Sequence, residues 1–242
     1  MLKGENIRKS YGDVEILHGI DINIQPGTIT TIIGPSGSGK STLLRSLALL
    51  DPPTSGTVTI DDLTMTFPHD TPIPTELVWP RLTVVFQQLF LWPHLTLRQN
   101  AVLPLRSRDI DSPEDRVDQI IKDFGINGLA DRFPNEVSLG QRQLGAIVRA
   151  LALEPRYLLL DEITSALDVE YVAMILERLK TLREQGVALL LISHLIEFAR
   201  HSGDQIVFLD GGTLVEQGTP AILDNPQSGR LERFLGLVLE AR

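Results

Sequence analysis

The 242-residue sequence is 43% hydrophobic and 22% charged, has a formal net charge of −9 and contains no cysteine. That length and balance suit a soluble protein with a full apolar core, in one large domain or two closely joined lobes. The absence of cysteine excludes disulfides, thiolate zinc sites and cysteine nucleophiles, and an acidic chain without basic blocks argues against nucleic acid as a partner.

The start, MLKGENIRKS, has no apolar signal-peptide core, and the longest uncharged apolar stretch, around GVALLLISHLI, is too short to span a bilayer. The chain is expected to stay where it is made. Short alternating strands are expected around Val14 to Ile24 and Thr57 to Ile60, with Pro52-Pro53-Thr54-Ser55-Gly56 as a turn. Thr30 to Ile33 is a β-branched run, and Leu43, Leu44, Leu47 and Leu50 recur at helical spacing from Ser41 onward. Between strand and helix lies Gly34-Pro35-Ser36-Gly37-Ser38-Gly39-Lys40-Ser41, which fits GxxxxGK[ST] in the context a phosphate loop needs. Its glycines let backbone N–H groups converge on β- and γ-phosphates, helped by the positive helix end. In that reading Lys40 neutralises the terminal phosphates, Ser41 coordinates Mg²⁺, and Thr42 adds a hydroxyl to the phosphate shell. A flexible Gly/Ser connector is the bland alternative, and it leaves the lysine, the hydroxyl and the flanking elements unexplained.

Pro104 to Pro134 lacks buried β runs. Val117, Ile120, Ile121 and Phe124 recur there at helical spacing after a start at Ser112-Pro113-Glu114, which reads as an inserted helical lobe. It ends in Val137-Ser138-Leu139-Gly140-Gln141-Arg142-Gln143, followed by the helical pattern of Leu144, Ile147, Val148 and Leu151. Ser138 and Gln141 form an SxxQ capping box, in isolation only a helix start.

Tyr157-Leu158-Leu159-Leu160-Asp161-Glu162 reads as a buried parallel strand with two carboxylates at its C-terminal end, where ligands bind in such sheets. Asp161 is placed to hold Mg²⁺ through its water shell, and Glu162 to polarise the water attacking the γ-phosphate. A helix N-terminal charge pair is the bland alternative, the lesser reading even alone and weaker still with a phosphate loop upstream. Val169, Val172, Ala173, Leu176, Leu179 and Leu182 form the apolar face of a crossover helix in a right-handed βαβ unit. A second buried strand, Val187 to Ser193, is closed by His194, whose imidazole can bond the γ-phosphate and help hold Glu162 and the water.

GPSGSGKST, a glutamine after an apolar strand (Val84-Val85-Phe86-Gln87), VSLGQRQ, LLLDE, Ser165-Ala166-Leu167-Asp168 and Ser193-His194, in that order and spacing, resemble the ATP-binding cassette (ABC) ATPases over nearly the whole chain. The resemblance implies an α/β fold in which residues 1–242 form one nucleotide-binding domain. Its parts are a P-loop NTPase (RecA-like) core, an N-terminal antiparallel β subdomain and an inserted α-helical subdomain at about 89–153. It implies that Tyr11 in KSYG stacks on adenine, and that Gln87 reaches Mg²⁺ and the attacking water. Otherwise Tyr11 is simply a loop aromatic. Ser138, Gly140 and Gln141 match the LSGGQ signature, which binds the γ-phosphate of ATP held by a second subunit, and Asp168 matches the loop that communicates across that dimer. The glycine before Gly140 is replaced by Leu139. The extra regulatory domain of sugar-importer ATPases is not expected.

Phe86-Gln87-Gln88-Leu89-Phe90-Leu91-Trp92-Pro93-His94-Leu95-Thr96 is similar to the FQxFxLFPHxT stretch of bacterial polar amino acid importers. That branch implies a homodimer of ATPase subunits, peripheral at the cytoplasmic face of the membrane. Above it sit two permease subunits, with a periplasmic or extracellular solute-binding protein as an indirect partner. Phe90, Leu91 and Trp92 then form part of the groove for a coupling helix, or else pack between lobes as ordinary core. Two rival classes stand beside this one: a soluble ABC ATPase of complex assembly, as in iron–sulfur cluster biogenesis, and a P-loop kinase. The kinase gives no reason for VSLGQ, SALD and His194 together.

Overall fold

A computed structural model of the chain describes residues 1–106, 108, 110–163 and 168–240. Four strands form the N-terminal sheet: β1 (Leu2–Tyr11), β2 (Val14–Ile24), β4 (Ser55–Ile60) and β5 (Leu63–Phe67). Their order is β2-β1-β4-β5, with every pairing antiparallel. Ser55 and Gly56 belong to β4 rather than to the expected turn, because they already pair with Arg8 and Phe67. Gly56 is required there: its φ is 111°, and a Cβ would lie 2.4 Å from the Asn6 carbonyl oxygen. Strands β1 and β5 are not signalled by the sequence, since charged and hydroxyl side chains fill most of β1, and β5 is only five residues long with Thr64 and Thr66 between its apolar positions.

The second sheet holds β3 (Ile29–Ile33), β6 (Leu82–Val85), β7 (Tyr157–Asp161), β8 (Ala188–Ile192), β9 (Gln205–Asp210) and β10 (Thr213–Gly218). Its order is β10-β9-β3-β8-β7-β6, parallel except for the edge hairpin β9–β10. Strands β3, β7 and β8 are buried along their whole length, as their unbroken apolar or β-branched runs require. The register fixes the functional edge: Ile32 pairs with Ile192, and Ile192 with Asp161, so the chain leaves all three strands at one end.

Helix α1 (Lys40–Leu47) follows β3, and α2 (Thr75–Val78) precedes β6. Leu50 lies outside the expected helical face. Leu49 turns left-handed at φ 56° after the helix ends, which sends Leu50 to solvent at 59% exposure. Between β6 and β7 run α3 (Leu97–Val102), α4 (Pro113–Asp123) and α5 (Leu139–Leu151), the expected helical insertion. Val117, Ile121, Phe124, Leu144, Ile147, Val148 and Leu151 are buried in it, while Ile120 packs partly buried at its edge.

Helix α6 (Val169–Glu184) connects β7 to its parallel neighbour β8. Its face is rotated from the expected one: Ile175 and Leu179 are buried, Val172, Leu176 and Leu182 partly so, and Ala173 is exposed. The side chain of Val169 and residues Ser165, Ala166 and Leu167 lie outside the described residues. Helices α7 (Ile196–Ser202) and α8 (Gly229–Glu240) complete the chain, and among the described residues no helix is long and apolar enough to cross a membrane.

Candidate active site

The glycine-rich loop joins β3 to α1 through left-handed turns. Gly34 has φ 151°, and a Cβ there would lie 2.0 Å from the Leu209 carbonyl oxygen of β9. Gly39, at φ 97°, caps the helix with its backbone alone, so the first turn of α1 presents free N–H groups to the loop. Lys40 is 5% exposed, and its ammonium donates to the carbonyls of Gly34 at 2.9 Å and Pro35 at 2.8 Å. Burial lowers its pKa against the pull of Glu162 and Asp161. Ser38 is buried with its hydroxyl unpaired among the described residues, whereas Ser36 and Gly37 face outward. A loop with a desolvated cation and an orphaned hydroxyl is built for an anion that brings acceptors.

The strand ends supply the opposing charge. Ser41 Oγ donates to Asp161 Oδ1 at 3.0 Å, and Asp161 is 5% exposed. Burial raises the Asp161 pKa, partly opposed by the Ser41 hydrogen bond. These two hard oxygen donors suit a small divalent cation. The described residues hold no cluster of three or more His, Cys, Asp or Glu, so such an ion would share its shell with phosphate oxygens. Glu162 is left-handed at φ 52°, its N–H donates to Ile192 O at 3.1 Å, and its Oε1 pairs with His194 Nε2. An acidic residue held in that conformation one position after a buried strand is a strained placement of the kind found at working sites.

One cavity of about 390 Å³ brings Lys40, Ser41, Glu162 and His194 together, while Asp161 and Ser38 lie behind its lining. The cavity is lined by Tyr11 and Ile16, by Ser36, Gly37, Gly39, Lys40, Ser41 and Thr42 of the loop and helix start, and by Glu162 and His194. Two more expected residues stand elsewhere. Gln87 is exposed just past β6 and does not line the cavity, although Val85 pairs with Leu160 and so sends Gln87 out at the edge where Glu162 emerges. Asp168 is exposed at the start of α6.

Ser138, Gly140 and Gln141 form a separate surface at the N-terminus of α5. The capping box is complete: Ser138 Oγ accepts from Gln141 N at 3.3 Å, and Gln141 Oε1 accepts from Ser138 N at 3.0 Å. Gln141 Nε2 also donates to Tyr171 Oη of α6 at 3.3 Å, a contact across thirty residues that no local pattern signals. Leu139 sits at the first helical position, 37% exposed. Phe90 and Trp92 are 59% and 52% exposed, so neither is core between lobes, while Leu91 packs partly buried. Trp92 borders a cleft of about 450 Å³ with Trp79, Phe86, Leu103 and Arg149, whose guanidinium donates to Leu89 O at 2.7 Å and Phe90 O at 2.6 Å.

The family described as ABC transporter matches residues 17–165. The glutamine transport ATP-binding protein GlnQ of Escherichia coli is 39% identical over 97% of this chain and 98% of its own length. The arginine transport ATP-binding protein ArtM of Bacillus subtilis is 37% identical over 99% of this chain and 100% of its own. A solved dimeric ATP-binding cassette, in a post-hydrolysis state bound to ADP and Pi, superposes with a TM-score of 0.82 at 34% identity, covering 91% of this chain and 99% of that one. With a GxxxxGK[ST] loop and a glutamate–histidine pair around one cavity, a buried aspartate bonded to Ser41 of that loop, and likeness along its whole length, the chain belongs to the ABC transporter family as a nucleotide-binding ATPase.

Proposed function

We propose that the chain powers an importer of polar amino acids, as a homodimer at the cytoplasmic face of the membrane. There it drives two permease subunits that receive solute from a periplasmic or extracellular binding protein. The observation that carries the chemistry is the shared register of Ile32, Ile192 and Asp161, which brings the glycine-rich loop, Glu162 and His194 around one cavity, with Asp161 bonded behind it to Ser41 of its lining. The full-length likeness to glutamine and arginine transport proteins supports the substrate class over an assembly factor or a kinase.

In this reading ATP lies along the loop, with Tyr11 stacked on its base. Backbone N–H groups of Gly37, Ser38, Gly39, Lys40 and Ser41, with the Ser36 and Thr42 hydroxyls, surround the phosphates, and Gly34 and Pro35 shape the turn. Lys40 exchanges its two carbonyl partners for phosphate oxygens. Ser41, Asp161 through water, and Gln87 would hold Mg²⁺. When bound, that ion would neutralise charge on the phosphates and fix their orientation. Glu162 accepts a proton from the attacking water, and His194 holds the Glu162 carboxylate while it does so. Ser138, Gly140 and Gln141 of the other subunit meet the γ-phosphate at the positive end of their helix, where the capping box leaves the Gly140 N–H to face it, and Asp168 faces that subunit. The exposed Trp92 lines the cleft that takes a helix from the permease, and the exposed Phe90 packs edge-on against Phe86 of its lining.

Affinity purification of the chain from native membranes in mild detergent tests this. Polytopic membrane proteins should co-purify, with ATPase activity that rises with the loaded binding protein. Recovery with soluble partners alone would favour the assembly factor, and a phosphorylated small-molecule product would favour the kinase.

A further inference from the structure

A tyrosine about half exposed at the end of an edge hairpin is ordinarily free to change rotamer. Tyr11 is not. It is 48% exposed at the mouth of the cavity, yet its hydroxyl donates to Asp51 Oδ2. The other carboxylate oxygen of Asp51 accepts from Lys9 Nζ, and that ammonium also donates to Pro52 O at 2.7 Å. Lys9 is 8% exposed and lies two residues before Tyr11 on the same face of β1, which puts its Nζ 5.1 Å from the ring centroid.

Asp51 is itself tied to the phosphate-loop helix. Its N–H donates to Arg45 O at 3.3 Å, and its carbonyl accepts from Ser46 Oγ at 3.2 Å, both on the last turns of α1. A continuous set of contacts thus runs from the helix that Lys40 begins to the ring at the cavity mouth. Burial pulls the Asp51 pKa upward, but the hydrogen bonds from Lys9 and Tyr11 outweigh it and hold the carboxyl below its ordinary value. The hydrogen bond to Asp51 in turn raises the Tyr11 phenol above its own, against weaker opposition from Arg45 and Thr42. At neutral pH the pair is therefore a phenol donating to a carboxylate. With its hydroxyl committed, Tyr11 offers a base only its face.

We propose that Asp51, braced by Lys9, is a positioning residue that fixes the Tyr11 ring at a set place relative to the phosphate loop, so that the ring is ready to receive the base of the nucleotide. This rests on the reading of Tyr11 as the stacking aromatic, and the test separates the two. ATP affinity is measured by calorimetry on the purified chain in EDTA, where hydrolysis is blocked. The variants are Tyr11→Ala, Tyr11→Phe, Asp51→Asn and the double variant Tyr11→Phe/Asp51→Asn, with inorganic tripolyphosphate as the ligand that lacks a base. Tyr11→Phe and Asp51→Asn should each weaken ATP by about three- to tenfold, the range of one hydrogen bond. The double variant should be no weaker than the stronger single within about twofold, because Tyr11→Phe removes the contact that Asp51→Asn weakens by taking away its charge, and tripolyphosphate affinity should stay at the parental value. If Tyr11→Ala weakens ATP while Tyr11→Phe and Asp51→Asn bind it as the parent does, positioning is overturned and stacking stands. Parental ATP affinity in Tyr11→Ala overturns both. Should Asp51→Asn fold poorly or lose tripolyphosphate, Tyr11→Phe decides alone: parental ATP affinity overturns the proposal, and weakened ATP with intact tripolyphosphate binding upholds it.

Discussion

Replacing Leu139 by glycine restores the family's signature pattern, and the structure gives a small effect for it. The three hydrogen bonds that anchor the start of α5, at 3.3, 3.0 and 3.3 Å, join Ser138, Gln141 and Tyr171 and do not use the Leu139 side chain. Glycine in a helix interior costs about 1 kcal/mol, an upper bound at the first helical position. In a chain of this size that lowers Tm by at most about 4 °C. Gly140 is buried at the next position, where the proposed partner phosphate approaches. In Gly140→Asp a carboxylate about 4 Å from one phosphate charge is repelled by about 4 kcal/mol at an effective dielectric of about 20. Its attraction to the helix end returns less than about 1 kcal/mol. The remaining ~3 kcal/mol exceeds a hundredfold in rate. Steady-state ATPase assays, in the assembled transporter if the isolated subunit is inactive, should show Leu139→Gly within about tenfold of the parent and Gly140→Asp nearly inactive. A large gain from Leu139→Gly would mean that the leucine cripples the site, and an active Gly140→Asp would remove the signature loop from the phosphate.

Lys40→Ala should weaken ATP binding at least about tenfold in calorimetry and reduce hydrolysis to background, because a charge-assisted contact is worth about 1.5–3 kcal/mol; retained turnover would remove the phosphate-loop assignment. His194→Ala should lower kcat about a hundredfold with ATP affinity unchanged, since the imidazole holds Glu162 rather than the loop; a parental rate would end that role. Burial holds Asp161 above its ordinary carboxylate value, so ionisation penalises the fold, fully so above the folded pKa and not at all below the unfolded one. Asp161→Asn should therefore raise Tm at pH 7 by about 2–4 °C for each kcal/mol relieved. The gain should vanish as pH falls below about 4, while hydrolysis is lost. A variant that melts lower than the parent at pH 7 would contradict this.

The glycine-rich loop and the charged ends of β7 and β8 are legible because each is contiguous: a buried strand, a conformationally demanding turn and a charged residue lie within about ten positions. Register then brings the pieces together, and parallel strands with unbroken apolar runs leave little freedom in how their ends align. What the sequence hid is what depends on long separations. Tyr11 meets Asp51 across forty residues, and no periodicity marks that aspartate as different from a solvated helix end. Leu50 and Ala173 were misplaced for a related reason. Spacing extends a helix past a left-handed residue such as Leu49, and a face read from the sequence alone can be rotated by one position, as Ile175 shows. β1 was invisible because its outward positions carry charge, and its inward set includes a lysine whose ammonium is paired.

The proposal that two copies close over ATP and hydrolyse it through Glu162 is tested most directly by Glu162→Gln. The amide keeps the shape and hydrogen-bonding reach of the side chain beside His194 while losing the charge that accepts a proton from water. Light scattering after size-exclusion chromatography with ATP and Mg²⁺ should give twice the 26.8 kDa mass of one chain, with one unhydrolysed ATP retained per subunit. A variant that binds ATP and remains a monomer, or that turns ATP over at the parental rate, would contradict it.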